Sequence, residues 1–329
     1  MTPTVSVAMA TYNGRLFLPE QLASLVAQHR RPDELVVRDD GSTDGTVELL
    51  EAFSNGAPFP VRISRNPSNM GVSATFQKAI LECRGDIIFL CDQDDHWAPE
   101  KILRVVETFE SHPSAKVVLN DKIIADAQLK PSNATMLGNM RGSGVPDVAF
   151  IAGCCSAHRR EWLSVALPVP ADVTYHDWWM IILAHQLGIA RILDEPLQLY
   201  RRHGSNASVH PLYSERPLSR WDRLRSELSA LRRDKRPALQ AFWEKELHDH
   251  EQLARRIEDR QAELADLGLG RQAVESLARL NRRNHVARAR IAVSKAPRRR
   301  RPAPIWRLWK SGGYRDFSGW KSAFKDLLQ

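Results

Sequence analysis

The sequence predicts a doubly wound α/β fold, a mostly parallel sheet flanked by helices, followed by a helical extension. Short apolar runs rich in β-branched residues alternate with stretches of helical spacing through the first 90 residues. Strands buried on both faces of a parallel sheet read as such runs. Each run is followed by polar residues at its carboxyl end, where open α/β sheets place their ligands. Charge then divides the chain: residues 1–210 balance to −5 and residues 211–329 to +13, within a net +8.

Thr4 to Ala10 is the first strand, ended by the turn residues Thr11-Tyr12-Asn13-Gly14. Leu16, Leu18, Leu22, Leu25 and Val26 recur at helical spacing up to Pro32. Glu34 to Arg38 is a second strand, followed by Asp39-Asp40-Gly41-Ser42-Thr43-Asp44-Gly45-Thr46, and Val47 to Phe53 is a helix. Pro60 to Ser64 is a third strand, and Asn69-Met70-Gly71 turns into a helix over Val72 to Glu82. Asp86 to Leu90 is a fourth strand, Glu100 to Glu110 a helix, and Lys116 to Ala125 and Phe150 to Ala157 are further strands. Gly153 is expected to allow a close backbone approach. Tyr175-His176-Asp177-Trp178-Trp179 opens an apolar helix that runs to Leu187, and a short strand precedes Leu199-Tyr200-Arg201-Arg202-His203-Gly204-Ser205-Asn206.

From about Arg220 the chain becomes basic and helical. Trp221, Leu224, Leu228 and Leu231 form one stripe; Phe242, Leu247, Leu253, Ile257 and Leu264 continue it, Gly268 and Gly270 break it, and Leu277 to Ile291 resumes it. Residues 297–304 read as a stiff basic linker. The end of the chain sets Trp306, Trp309, Phe317, Trp320 and Phe324 among Arg307, Lys310, Arg315, Lys321 and Lys325. Three regions follow: 1–215 an acidic α/β domain, 216–296 a basic helical region, and 297–329 a basic-aromatic tail. The tail has the composition of an interfacial contact with an anionic membrane surface. Nucleic acid is not an expected partner, because no nucleic-acid motif accompanies the charge. Cys83, Cys91, Cys154 and Cys155 have neither disulfide-framework density nor zinc spacing, which points to a reducing cytoplasm. No secretory signal is visible, and no apolar run approaches the roughly 20 residues of a membrane-spanning helix.

Cys91-Asp92-Gln93-Asp94-Asp95-His96-Trp97 carries the most chemistry. Three carboxylates at the end of a buried strand raise one another's pKa unless something positive neutralises them. The segment is either a solvated acidic turn or a metal-diphosphate site.

Taken together, the segments resemble glycosyltransferase family 2, the inverting nucleotide-sugar enzymes of the GT-A fold. The resemblance rests on Val5 to Gly14, Asp39 to Thr46, Asn69-Met70-Gly71, Gly85-Asp86, Asp92-Gln93-Asp94 and His176-Asp177. It covers roughly the first two thirds of the chain. The form Cys-Asp-Gln-Asp-Asp-x-Trp and the later Tyr-Arg-Arg-His-Gly-Ser-Asn look like the branch that contains bacterial rhamnosyltransferases.

The resemblance implies a nucleotide-sugar site made by Thr11, Tyr12, Asn13, Asp40, Gly71, Asp92 and Gln93. Asp40 would accept the N3–H of a pyrimidine, a group that thymine and uracil share; a turn or helix-cap aspartate is the alternative, a duty that suits Asp44 better. Tyr12 would stack on the base or serve as an ordinary strand-end aromatic. Asp94 would bind Mg²⁺ or Mn²⁺, with Asp92 on the ribose or a metal-bound water, and the ion would neutralise the departing diphosphate. Asp95 is open between this cluster and a cap for the next helix. His203 is a further candidate ligand for metal or diphosphate beside Arg201 and Arg202, or a structural histidine. Asp177 would be the general base that takes the acceptor hydroxyl proton; the family commonly has an acidic pair here, and His176 departs from it.

The expected activity is transfer of a sugar, with L-rhamnose from dTDP-β-L-rhamnose the leading donor, to a hydroxyl of a cell-surface glycan or lipid-linked acceptor. The expected location is peripheral, on the inner face of a bacterial cytoplasmic membrane. A UDP-hexose or UDP-amino sugar donor is the alternative within the fold, and a non-catalytic glycan- or nucleotide-binding protein is the alternative outside it.

Overall fold

The computed structural model describes residues 2–204, 206, 211–223, 225, 236–315, 317 and 319–328. The chain forms two compact units, residues 1–224 and 225–329. Leu224, Leu228 and Leu231 of the expected stripe lie outside the described residues, as does the side chain of Phe242.

The first unit is built on β1 (Val5–Thr11), α1 (Leu18–Val26), β2 (Glu34–Asp39), α2 (Thr46–Ser54), β3 (Val61–Arg65), α3 (Val72–Glu82), β4 (Ile87–Cys91), β5 (His96–Trp97) and α4 (Lys101–Ser111). It continues with β6 (Val117–Ala125), β7 (Pro131–Thr135), α5 (Met136–Gly142), β8 (Ser156–Arg159), α6 (Arg160–Ala166), α7 (His176–Gln186) and β9 (Ala190–Arg201). The strands make one sheet in the order β3-β2-β1-β4-β8-β6-β9-β5, with β7 also paired to β6. β3, β2, β1 and β4 are mutually parallel, as are β6 and β9. β8 runs antiparallel between β4 and β6.

Alternation along the strands sorts the core. Val5, Val7 and Met9 of β1, Leu35 and Val37 of β2, and Ile87 and Phe89 of β4 are buried in one cluster with Leu18, Leu22 and Leu25 of α1. Ile102, Val105, Val106 and Phe109 join it from α4, spaced as one helical face. Ala8, Val36, Ile88 and Leu90, one residue out of phase, are equally buried on the opposite face.

Three expectations for the first unit need correction. The run Phe150 to Ala157 is not one strand: residues 153–155 form a 3₁₀ turn, and β8 begins at Ser156. The close approach at Gly153 is real, since a Cβ there would lie 3.0 Å from Cβ of Asp177. The strand before His203 is not short; β9 holds 12 residues and kinks past β6 through register shifts near Asp121. Asp95 caps no helix, because the first turn of α4 follows Glu100 without a side-chain cap and Asp95 is bound elsewhere.

The second unit contains α8 (Arg236–Asp259), α9 (Gln261–Asp266), α10 (Gly270–Lys295), α11 (Pro302–Lys310) and α12 (Trp320–Leu328). Gly268, at φ 73°, makes the break expected between α9 and α10. α8 and α10 pack along each other, tied by Arg283–Glu246, Arg288–Glu251 and Lys295–Glu244 ion pairs. The expected linker over 297–304 is instead a 3₁₀ turn over 298–300 and the start of α11. Arg301 closes that turn by donating to the carbonyls of Ala296 and Ser294. Among the described residues no helix is long and apolar enough to cross a membrane.

Candidate active site

The sheet reverses its winding at β1. The chain steps outward from β1 to β3 and then returns to the other side of β1 with β4, so the carboxyl ends of β1 and β4 flank a crevice. A cleft of about 270 Å³ lies there. It is lined by Thr11 and Tyr12 after β1, Asp40 after β2, Gly71 and Phe76 of α3, Asp92, Gln93 and Asp94 after β4, and Tyr200 and Asn206.

Asp40 is 3% exposed and binds the start of α3 rather than capping α2. Its Oδ1 accepts from Asn66 Nδ2 at 2.8 Å and Met70 N at 2.8 Å, and its Oδ2 accepts from Gly71 N at 2.9 Å. Gly71 sits at φ 84°, ψ 159°, a conformation essentially restricted to glycine. Its part in the site is therefore to aim the first turn of α3 at the cleft. Asp44, as expected, serves α2: its Oδ1 accepts from Thr46 N at 3.1 Å.

Gln93 clasps the backbone of Tyr12, accepting from its N–H at 2.9 Å and donating to its carbonyl at 3.0 Å. That leaves the Tyr12 ring 47% exposed at the cleft mouth. Gly14 leaves this clasp its space, since a Cβ there would displace the Gln93 amide. Thr11 Oγ1 donates to Asp39 at 3.0 Å. Asn13 is not among the residues lining the cleft; at φ 47° it holds the turn, accepting from Thr43 N at 2.9 Å.

Asp92 and Asp94 face the cleft, and Asp94 Oδ2 lies 2.8 Å from His203 Nε2. The ring of His203 stacks on Phe17 at 4.3 Å. Burial, then the neighbouring Asp94 carboxylate, push the Asp92 carboxyl up to about 7. Ligand atoms of Asp92, Asp95 and Cys154 also lie within 4.8 Å of one another. That trio suits a hard cation poorly. Asp95 is fully buried and already accepts from Gln198 Nε2 at 2.8 Å and Arg201 N at 3.2 Å. The Cys154 thiol is pushed well up by its contact with Cys155 and by burial, which keeps it protonated. Oxygen ligands on the cleft side, from Asp92 and Asp94, fit Mg²⁺ or Mn²⁺, and a dication would relieve the crowding that raises Asp92.

Asp177 opens α7. Its Oδ2 accepts from Gly153 N at 3.1 Å and its Oδ1 from Trp178 N at 2.8 Å. It does not line the cleft itself, but its charge contributes to the raised pKa of Asp92. His176 turns inward, 5% exposed and stacked on Phe76 at 4.6 Å, and so couples α7 to the helix that lines the cleft.

Several residues escaped the sequence reading. Lys122, 1% exposed, places Nζ 3.5 Å from the ring of Tyr200 and 3.7 Å from Cys154 Sγ, a buried cation beneath the acidic cluster. Lys101, equally buried, donates to the carbonyl of Cys154 at 2.8 Å and to Gln198. Nothing near either lysine in the sequence marks it as buried. Asn206 was visible within the Tyr-Arg-Arg-His-Gly-Ser-Asn segment; its Oδ1 accepts from His203 N at 2.7 Å.

Residues 6–165 match the family model described as "Glycosyl transferase family 2". A Mycobacterium tuberculosis protein of uncharacterised function is 28% identical over 218 residues, 64% of this chain and 62% of that protein. The matched stretch thus spans less than two thirds of that relative. A dTDP-rhamnosyl transferase of Shigella flexneri is 25% identical over 256 residues, covering 68% of this chain and 83% of that one. The crystal structure of Staphylococcus aureus TarS residues 1–349 in complex with UDP-GlcNAc superposes with a TM-score of 0.54 at 18% identity, covering 93% of this chain and 80% of that one. The likeness extends to the fold.

Proposed function

We propose that this chain, whose residues 6–165 form a glycosyl transferase family 2 domain, is a metal-dependent inverting transferase. Its donor would be dTDP-β-L-rhamnose, and its acceptor a sugar hydroxyl on a lipid-linked or lipopolysaccharide glycan at the cytoplasmic membrane face. The observation that carries the reading is convergence: Asp40, Asp92 and Asp94 meet in one cleft at the carboxyl ends of parallel strands, and Asp177 stands close enough to raise the pKa of Asp92. The named Shigella flexneri relative supports a rhamnosyl donor at 25% identity.

In this reading Asp40 receives the N3–H of the pyrimidine and Tyr12 stacks on the base. Asp92 and Asp94 hold Mg²⁺ or Mn²⁺, with His203 beside Asp94 as a further ligand. The ion, when bound, neutralises the departing diphosphate. Asp177 takes the proton of the acceptor hydroxyl as that oxygen bonds to the anomeric carbon from the face opposite the diphosphate. The carbon–oxygen bond to the nucleotide breaks, and its electron pair leaves on the diphosphate. Both Asp177 oxygens accept backbone N–H groups, from Gly153 and Trp178, which fixes the direction of the carboxylate.

The test is a donor panel on the full chain with Mg²⁺, Mn²⁺ or EDTA. Turnover of dTDP-rhamnose that EDTA abolishes, and that Asp177→Asn removes while dTDP binding persists, is the expected result. Turnover confined to UDP-sugars selects the alternative donor, which presents the same N3–H to Asp40. Nucleotide binding without turnover of any donor would leave a binding protein. Unchanged turnover in Asp177→Asn removes the base assignment.

A further inference from the structure

The last helix of the second unit is fastened by its polar side. α12 buries Ser322, Ala323 and Asp326 and exposes Trp320 by 63%, Phe324 by 54% and Leu327 by 40%. Amphipathic helices of soluble proteins ordinarily bury the apolar stripe and wet the polar one. Here the polar side is the anchor. Arg290, itself 3% exposed, donates to both oxygens of Asp326 at 2.8 and 2.9 Å, and the Tyr314 hydroxyl adds a third donor at 2.9 Å. The Arg290 guanidinium lies 4.1 Å from the Trp243 ring and 4.7 Å from the Phe317 ring, which helps to fix its direction. A paired, buried aspartate specifies which side of α12 faces in.

α11 packs against α12 and, although it buries an aliphatic side, also leaves aromatic rings outside. Ile305 and Leu308 face a small core with Val293, Tyr314 and Ala323, while Trp306 and Trp309 are 58% and 44% exposed. Arg307, Lys310 and Arg315 are exposed in the same segment, and Lys310 Nζ lies 5.2 Å from the Trp306 ring. A soluble surface seldom leaves such aromatics uncovered. Rings at the level of headgroups with cations reaching phosphate oxygens are the chemistry of a bilayer interface. The +13 balance of residues 211–329 gives that surface the sign that anionic lipid attracts.

We infer that α11 and α12 form an interfacial anchor that seats Trp306, Trp309, Trp320, Phe324 and Leu327 in the headgroup boundary of an anionic bilayer. The anchor gives a surface to the membrane-side location in the proposed function. It is read without donor or acceptor, so its failure and failure of the transferase reading are separate results.

The experiment uses the full chain with vesicles of phosphatidylcholine alone or with added phosphatidylglycerol. Cosedimentation with the anionic vesicles only, and a blue shift of tryptophan emission on binding, is the expected result. Trp320→Ser with Phe324→Ser should weaken partitioning about tenfold or more. Arg307→Gln with Lys310→Gln should weaken it on anionic vesicles and reduce its salt sensitivity. Because these side chains are exposed, the circular dichroism and thermal transition should be unchanged, which separates lost binding from lost fold. Equal binding to both vesicle types, or full retention by Trp320→Ser/Phe324→Ser, overturns the inference. So does a wild-type dimer that ignores vesicles and becomes a monomer in that variant, which would make a second copy the occupant.

Discussion

Replacing Asp40 by asparagine leaves one acceptor oxygen where three donors now converge. The best orientation keeps the oxygen toward Asn66 Nδ2 and Met70 N, both at 2.8 Å, and turns the amide nitrogen against Gly71 N–H, now 2.9 Å from Oδ2. One hydrogen bond to a charged acceptor, roughly 1.5–3 kcal/mol, is lost, and the half-buried Gly71 N–H, which also donates to Asn69 Oδ1 at 3.1 Å, is left facing another donor. The first turn of α3 depends on this carboxylate, because Gly71 at φ 84°, ψ 159° precedes the helix: its carbonyl accepts from Thr75 N at 3.1 Å, but its N–H has no helical acceptor. At about 2 kcal/mol, local opening should become about 30-fold more frequent. Hydrogen exchange of the full chain should therefore accelerate in peptides covering residues 69–72 and remain unchanged in α4. Binding of dTDP, followed by calorimetry, should fall by at least the same factor. Unaltered exchange at Gly71 would refute the hydrogen-bond reasoning. Faster exchange with undiminished dTDP affinity would instead remove Asp40 from base recognition.

Three further predictions follow from the packing. Gly14→Ala drives a Cβ to 2.1 Å from Gln93 Oε1; the flexible amide can swing away, so the chain should stay folded while dTDP affinity falls about fivefold through loss of the Tyr12 clasp, and unchanged affinity would show that the clasp does not order Tyr12. Gly85→Ala sets a Cβ 2.6 Å from Ser6 N, against backbone rather than a flexible side chain, so soluble yield should collapse or the thermal midpoint drop by several degrees; a wild-type midpoint would refute it. Burial holds the fully enclosed His158 down to about 3. The unfolded chain then binds the extra proton below about 6.5, so this residue's contribution is complete above that pH and declines as pH falls toward 3; it amounts to about 2 kcal/mol lost by pH 5. Urea unfolding at pH 8 and pH 5 should show a smaller loss in His158→Gln than in the parent, and equal losses would exclude His158 as the source.

Much of the site could be read in advance because its donors follow strands directly. Asp40, Asp92 and Asp94 each stand one to three residues beyond an apolar run, and a parallel sheet brings such ends together. Two contacts could not be read in the sequence: Gln93 clasps the Tyr12 backbone, and Gly71 supplies a backbone conformation at the start of α3. Asp95 was open between cluster and cap; its partners, Gln198 and Arg201, are more than 100 residues away and meet it only because β5 pairs with β9. The burial of Lys101 and Lys122 has no local signal, since it depends on rings and carbonyls from elsewhere in the chain.

By itself the sequence determined the alternation of strands and helices through Trp97, the position of the crevice, the acidic and basic halves, and the aromatic-cationic character of the last segment. These are local properties of period, turn chemistry and charge. Tertiary structure decided which contacts the side chains make: the antiparallel insertion of β8, the inward turn of His176 and the union of Asp94 with His203. It also decided that α12 faces inward by Asp326 and outward by Trp320 and Phe324. Periodicity finds an apolar stripe on a helix, but the partner of that stripe is set by pairings distant in the chain, and here a buried ion pair turned it outward.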